Sequence, residues 1–269
     1  MLIFLLVPIQ ENTEYEIPPS YCLGTIPSNC SYNSEDIQSW TKLIFLYAKQ
    51  NDIKLLGAAS DNFSPHQTVW REWMFSSNKK LSFLPASYAK FSDTKCVPFE
   101  DMPHLLRNWL YNLQNLGKVM QIGNWPILYE NLQQLNNYMV VPQNYLNVNK
   151  KMNQKAAEFF FSKPIIDMLK TRFDGIACGL QLYLIYGTKL WRAFMDREIP
   201  MEERLFLAGE VMSFLLLWWN SVEKKEQDLL ITRNTMMASL QACLSLYVLN
   251  QIFEGEEIPA CPWRLGSQP

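Results

Sequence analysis

The chain has 269 residues, of which 48% are hydrophobic and 13% aromatic, and its formal net charge is −2. This length and composition are sufficient for one large folded domain or two smaller ones, and they exclude a largely disordered chain. Proteins that grip DNA through its phosphates usually carry a basic surface. The charge therefore argues against autonomous DNA binding and leaves DNA contacts to a local patch or to a missing partner segment.

The first hundred residues alternate between strand and helix signals. Three apolar runs bounded by turn residues predict strands, at residues 2–9, 21–26 and 53–59. One helix is predicted to begin after Ser34, the expected N-cap, and to end at Asn51. A second helix is predicted to begin at Pro65 and to continue through Trp73. This strand–helix–strand–helix order is typical of an α/β fold.

From about Leu105 onward, strand signals disappear and helical periodicity dominates. Pro200, followed by Glu202 and Glu203, is a good N-terminal helix signature. Three long helices are predicted, at residues 179–194, 201–220 and 232–253. The sequence thus predicts an α/β part followed by an all-helical part.

The six cysteines have no close CxxC spacing and the chain has only two histidines, so a zinc site is not predicted. Free, mostly buried thiols in a reducing compartment are the simpler interpretation. The apolar start of the chain has no basic segment before it and no small-residue cleavage site after it, which argues against a signal peptide. The apolar block 205–219 contains Glu210 and is short for a bilayer. We therefore expect no membrane span and an intracellular protein, nuclear or cytoplasmic.

Asp61 is the first candidate site residue. It follows the predicted strand 53–59, and open α/β folds place their sites where strands end. The alternative is a structural role, since loops after strands often begin with an aspartate that caps a turn or helix.

Asp101 and His104 are the second candidate. They lie three residues apart at the start of a predicted helix, with Arg107 and Asn108 one turn further on, so that one face could present a carboxylate, an imidazole and a guanidinium. The alternative is an ordinary capped helix with a histidine in its first turn.

Four stretches, in this order along the chain, carry a resemblance to a known family. The first stretch combines residues 34–37 (SEDI) with residues 53–61 (IKLLGAASD). The other three are residues 100–108 (EDMPHLLRN), 151–162 (KMNQKAAEFFFS) and 262–269 (PWRLGSQP). Together they resemble P-element-type DNA transposases, the group that includes the THAP-domain transposase relatives of animals. In this resemblance Asp61 matches the second catalytic aspartate, and Asp101 with His104 matches an Asp-x-x-His motif.

The resemblance implies an incomplete RNase H-like α/β part followed by a large all-helical insertion domain. The corresponding domains are a partial RNase H-like region at residues 1–115, an insertion domain of the GTP-binding type at 116–258, and a return segment at 259–269 that leads toward the missing catalytic part. Lys151 and Lys155 lie in the stretch that resembles a helix of the insertion domain, and either could face a nucleotide phosphate. The alternative for both lysines is a solvated surface.

The chemistry implied by the resemblance is strand transfer by three carboxylates that hold two Mg²⁺ ions. Asp61 is the one metal ligand that the match supplies. Residues 1–9 contain no carboxylate for the first position, and the final glutamate is expected just beyond residue 269. We therefore expect a truncated transposase, unable to catalyse strand transfer alone. The partners implied are transposon-end DNA and a second copy of the chain, and the cofactors implied are Mg²⁺ and GTP.

Two other functions remain open at this stage. One is a domesticated, non-catalytic protein whose helical part serves as a nucleotide-dependent binding or oligomerisation module. The other is an active metal-dependent nuclease that uses Asp61, Asp101 and a further carboxylate, drawn from Glu254, Glu256 and Glu257.

Overall fold

The structure is a computed structural model. It describes residues 2–6, 21–26, 32–60, 65–66, 68–69, 89–91, 94–115, 117–138, 141–146 and 153–255, with side chains for most positions from residue 32 onward. Within these residues the chain is mostly helical with small sheets. It divides into two compact units: a first unit of Met1–Asp101 with Leu244–Pro269, and a second unit of Met102–Cys243. An α/β part followed by a helical part is thus confirmed at this level.

The first unit contains one long helix and five strands among its described residues. The helix α1 spans Ser34–Gln50, and the strands are β1 (Leu2–Leu6), β2 (Tyr21–Ile26), β3 (Gly57–Ser60), β4 (Ala89–Phe91) and β5 (Thr94–Glu100). β1 pairs with β2 antiparallel. β5 lies between β3, to which it is parallel, and β4, to which it is antiparallel.

The N-cap of α1 is Asn33, so the prediction of Ser34 was one residue late. Asn33 has an extended backbone and its Oδ1 accepts hydrogen bonds from the amides of Glu35 and Asp36 at 2.9 and 3.0 Å. The Asp36 carboxylate accepts the Asn33 amide at 2.9 Å, which completes a capping box. Asparagine and serine both suit an N-cap, and the reciprocal hydrogen bond with Asp36 selects Asn33 over Ser34.

One strand prediction in the first unit needed correction, and one strand was not predicted. The strand predicted at residues 53–59 is shorter and later, because only Gly57–Ser60 pairs with β5. β5 itself was not predicted, since Pro98 lies in its middle and a proline within a run argues against a strand. The fold tolerates Pro98 because the residue needs no amide partner and its carbonyl accepts the Ser245 hydroxyl. The helix predicted from Pro65 is helical at residues 65–66 and 68–69, and its remainder lies outside the described residues.

Among its described residues the second unit contains six complete helices, the first part of a seventh, a hairpin and short 3₁₀ turns. These elements are α2 (Met102–Gln114), β6 (Met120–Ile122), β7 (Trp125–Ile127), α3 (Glu130–Leu135), α4 (Gln154–Phe160), α5 (Lys163–Arg172), α6 (Cys178–Met195) and α7 (Met201–Asn220), followed by α8 (Arg233–Gly255), which continues into the residues of the first unit. The three long helices were predicted to within two residues at each end.

The hairpin of β6 and β7 contradicts the prediction of an all-helical region after Leu105. The two strands pair antiparallel and are joined by Gly123 and Asn124, with Gly123 in the left-handed region at φ 56°. Strands of three residues are too short to show alternation. The Gly123-Asn124 pair between apolar residues was the one available signal, since such dipeptides favour two-residue hairpin turns.

Trp109 lies at the centre of the second unit. It is fully buried on α2, and its indole Nε1 donates to Ser239 Oγ of α8 at 2.9 Å. The Tyr183 hydroxyl of α6 donates to the Trp109 carbonyl at 2.7 Å, and the two rings lie 4.9 Å apart. α2, α6 and α8 are therefore joined by paired polar atoms inside an apolar core, which orients the helices as well as burying them.

Arg204 on α7 is exposed to only 1%, although its sequence context indicates no partner. Its Nη1 donates to the carbonyls of Ala193 and Phe194 at 3.1 and 3.3 Å, and its Nη2 donates to the Asp196 carbonyl. These carbonyls belong to the C-terminal turn of α6, where a cation also opposes the helix dipole. Arg204 thus caps α6 from α7.

α8 is long and apolar enough to cross a membrane by length and composition, among the residues searched. Two thirds of its apolar window, 67%, is buried inside the protein, as in a core helix.

Candidate functional site

The parallel pairing of β3 and β5 brings the carboxyl ends of two strands to one sheet edge. The register pairs Ser60 with Glu100, the last residue of each strand. The Asp101 amide donates to the Ser60 carbonyl at 2.7 Å, so the chain leaves β5 still bonded to the end of β3. Asp101 is partly buried at this position. Asp61 follows Ser60 directly in sequence and lies outside the described residues.

Glu100 is a residue of this edge for which the sequence gave us no role. It is exposed to only 1%, and it stands beside Asp101 at the end of β5. Burial of a carboxylate is unfavourable unless other groups compensate its charge or its proton. A buried carboxylate at a strand end is typical of a site, and recognising β5 as a strand would have indicated it.

His104 and Arg107, on α2 in the second unit, are in direct contact. Arg107 Nη2 lies 2.7 Å from His104 Nδ1. A guanidinium has no acceptor, so in this contact Arg107 donates and His104 Nδ1 accepts. The prediction that the His104 imidazole and the Arg107 guanidinium lie side by side on this helix is confirmed. The catalytic role of His104 remains a prediction.

Lys151 and Lys155 are the two lysines that could face a nucleotide phosphate. Lys151 lies outside the described residues. Lys155 lies on α4 and is exposed. α5, which follows α4, carries three more exposed cationic side chains, at Lys163, Lys170 and Arg172. This short stretch is therefore basic in a chain whose net charge is −2.

A complete metal site is not found among the described residues. No group of three or more His, Cys, Asp or Glu in that part of the chain is placed to hold a metal ion. Glu254, one of the carboxylates considered for an active nuclease, is exposed near the end of α8 and accepts the Asn250 side-chain amide at 2.9 Å. Glu256 and Glu257 lie outside the described residues.

Comparison with known proteins supports the fold alone. No protein-family model matches the chain, and no curated protein matches it. Among solved structures, it is similar to a chain of the Drosophila P element transposase strand transfer complex, with a TM-score of 0.63 and 15% sequence identity. The match covers 84% of this chain and 55% of the transposase chain, so the chain spans about half the length of that protein. The protein therefore has a transposase-like fold. An RNase H-like first unit and the domain limits at residues 115 and 258 remain predictions.

Proposed function

We propose that this chain is a P-element-transposase-related protein whose first unit binds a divalent cation through Asp61 and Asp101. The observation that carries the proposal is the in-register end of β3 and β5, where Ser60 is paired with Glu100. Each proposed ligand is the next residue after one of these paired ends. The likeness in fold to a P element transposase supports the same class of function.

The chemistry of such an edge follows from its ligands. Carboxylate oxygens are the ligands that Mg²⁺ prefers, and a hard cation placed between two carboxylates lowers their mutual repulsion. In transposases of this chemistry, two such ions activate the attacking oxygen and stabilise the leaving oxygen.

Cation binding by the purified chain tests the proposal. Titration with Mn²⁺, followed by its electron paramagnetic resonance signal, is expected to show saturable binding that Asp101→Asn and Asp61→Asn each weaken by about tenfold or more. Asp52→Asn is the matched control, because Asp52 is an exposed aspartate of the same unit, and its left-handed backbone at φ 53° accepts asparagine. Equal Mn²⁺ binding by all three variants would refute the site.

The proposal includes that this 269-residue chain does not transfer DNA strands on its own. Strand transfer of this kind needs three carboxylates to hold two metal ions, more than Asp61 and Asp101 offer. The expected result is DNA binding that is weak and steeply salt-dependent, without nicking or joining in Mg²⁺ or Mn²⁺. Cleavage of a duplex by the purified chain, lost in Asp61→Ala, would instead favour the active nuclease.

A second candidate function, nucleotide binding by the second unit, is favoured by the exposed cations of α4 and α5. Lys155, together with Lys163 and Lys170, offers an anionic ligand several ammonium groups on neighbouring helices. Equilibrium binding of a fluorescent GTP analogue is expected to weaken several-fold in Lys155→Ala and in Lys151→Ala. Lys49→Ala, which removes an exposed lysine of α1, is the control. If Lys155→Ala and Lys151→Ala bind the GTP analogue as tightly as the unchanged chain, this surface is not the nucleotide site.

A further inference from the structure

β5 changes neighbours shortly before Asp101. Among the described residues, β4 pairs with β5 only at Thr94–Cys96, whereas β3 pairs with Val97–Glu100. The last stretch of β5 therefore has a described strand on one side alone. Any group that holds the other side of this stretch also helps to fix the backbone of Asp101, the residue that follows it.

Ser245 of α8 holds that other side. The amides of Val97 and Asp101 donate to carbonyls in and next to β3, at 3.0 and 2.7 Å. Successive residues of a strand direct their backbone groups to opposite sides, so the Pro98 carbonyl points away from β3. The Ser245 hydroxyl donates to this carbonyl at 2.5 Å. Ser245 belongs to the part of α8 that is assigned to the first unit, as β5 does.

Pro98 suits this arrangement because it has no amide. A proline is tolerated in a sheet where its position requires no N–H in the ladder. Its buried carbonyl is then the one backbone group of the residue that needs a hydrogen-bond partner, and a single hydroxyl is sufficient. Ser245 thus takes the place that the amide of a neighbouring strand would otherwise have.

The hydroxyl of Ser245 bonds to β5 instead of to its own helix. A serine inside a helix commonly donates to the carbonyl four residues before it, as Ser239 of α8 does to Thr235 at 2.8 Å. A hydroxyl has one proton to donate, and that of Ser245 goes to Pro98, 147 residues away in sequence. Both serines are fully buried, so a difference in exposure does not explain the difference in bonding.

We propose that Ser245 is a positioning residue for the cation site, acting through Pro98 and the end of β5 to hold Asp101. This inference rests on the proposed function, in which Asp61 and Asp101 bind a divalent cation. Ser245 fixes the backbone three residues before Asp101, on the side opposite to β3. A ligand that is already held in place loses less freedom when the cation binds, so residues that orient metal ligands raise the affinity for the metal.

Mn²⁺ binding compares two serine-to-alanine changes in the same buried helix. Ser245→Ala is expected to weaken Mn²⁺ binding, followed by electron paramagnetic resonance, by about three- to tenfold, because the end of β5 loses its bond on one side. Ser239→Ala is the matched control. It removes an equally buried hydroxyl whose partners, Trp109 and Thr235, lie in the second unit, and it is expected to leave the Mn²⁺ affinity unchanged. Circular dichroism confirms that both variants are folded.

Hydrogen exchange of single amides, measured by NMR, tests the positioning without a cation. In Ser245→Ala the Asp101 amide is expected to exchange at least about threefold faster relative to the Val97 amide. The reason is that Asp101 follows the lost bond at Pro98, whereas Val97 adjoins the part of β5 that β4 also pairs. Ser239→Ala is expected to leave the ratio of the two rates unchanged, since a general loss of stability accelerates both amides together.

The two measurements separate this inference from the proposed function. If Asp101→Asn weakens Mn²⁺ binding and Ser245→Ala does not, the inference is overturned and the cation site stands. Equal effects of Ser245→Ala and Ser239→Ala on either measurement would also overturn it. If the unchanged chain shows no saturable Mn²⁺ binding, the cation site is refuted and the role of Ser245 in it falls as well, whatever the exchange rates.

Discussion

Asn112 and Thr232 are joined by a hydrogen bond in which the Thr232 amide donates to Asn112 Oδ1 at 2.9 Å, across 120 residues of sequence. The same side chain donates through Nδ2 to Thr235 Oγ1 at 3.1 Å. Asn112 is exposed to only 3%, and α8 begins at Arg233. The buried Asn112 side chain of α2 therefore bonds polar groups at the start of α8. Without such a partner, these groups at a helix end would have to bond to water.

Replacement of Asn112 by alanine is expected to lower the free energy of unfolding by about 1–3 kcal/mol, because the buried Thr235 hydroxyl and the Thr232 amide each lose a partner. Urea denaturation followed by circular dichroism measures the loss. Asn137→Ala, at an exposed position after α3, is expected to change stability by less than about 0.5 kcal/mol. If both variants lose the same free energy of unfolding, the buried hydrogen bonds of Asn112 do not stabilise the fold.

Gly179→Ala is expected to destabilise the second unit although alanine is the better helix former. Within a helix this change ordinarily stabilises by about 0.5–1 kcal/mol. An added Cβ at Gly179 would lie 2.6 Å from the Trp125 carbonyl oxygen and 2.7 Å from that of Pro126. Both atoms are backbone of β7, so the hairpin must move, and overpacking of this kind typically costs about 1–3 kcal/mol. The melting temperature is expected to fall, whereas Gly255→Ala, with nothing within 4 Å, leaves it unchanged or raises it.

Arg204→Lys is expected to cost about 1–3 kcal/mol despite the retained charge. The planar guanidinium reaches the carbonyls of Ala193, Phe194 and Asp196 together, and a lysine ammonium cannot match that fork. Thermal unfolding compares this variant with Arg197→Lys, the same change at an exposed position four residues before α7 begins. Tolerance of lysine at both positions would contradict the capping role of Arg204.

Cys96 and Cys243 are expected to resist alkylation in the folded protein. Burial raises the pKa of the Cys96 thiol well above its ordinary value and raises the pKa of Cys243 to about 12. Since the thiolate is the reactive form, both should remain unlabelled by iodoacetamide at pH 8, while the partly exposed Cys178 reacts. Peptide mass spectrometry reads each site, and labelling in urea is the control in which all three react. Rapid native labelling of Cys96 or Cys243 would mean that its surroundings open readily.

His104 is expected to exist as a single neutral tautomer with its proton on Nε2. The reason is the Arg107 guanidinium, which donates to Nδ1 at 2.7 Å. Nitrogen-15 NMR of the imidazoles reports the tautomer, and His66→Gln assigns the two histidines of the chain. Arg107→Met is expected to return His104 to a mixture of tautomers. An unchanged spectrum in Arg107→Met would show that the contact does not position the ring.

Local signals in the sequence determined the helices. α7 was predicted at its observed limits, 201 and 220, because Pro200 and the acidic residues after it mark a helix start without reference to the rest of the chain. The same holds for the end of α1 at Gln50, before the turn at Asn51. Asp101 was likewise placed correctly at the start of a helix, since capping chemistry is a property of a few neighbouring residues.

Contacts between residues far apart in sequence were decided only by the tertiary structure. β5 forms despite Pro98 because β3 pairs with Val97–Glu100 and β4 pairs with Thr94–Cys96, and nothing in the local sequence indicated the burial of Glu100. Arg204 finds its carbonyls only once α6 and α7 pack together. A helix makes its hydrogen bonds within four residues, so the sequence alone was sufficient to predict the helices. A strand or a buried charge is stabilised by partners that its neighbours in sequence do not specify, so the tertiary structure was needed to find them.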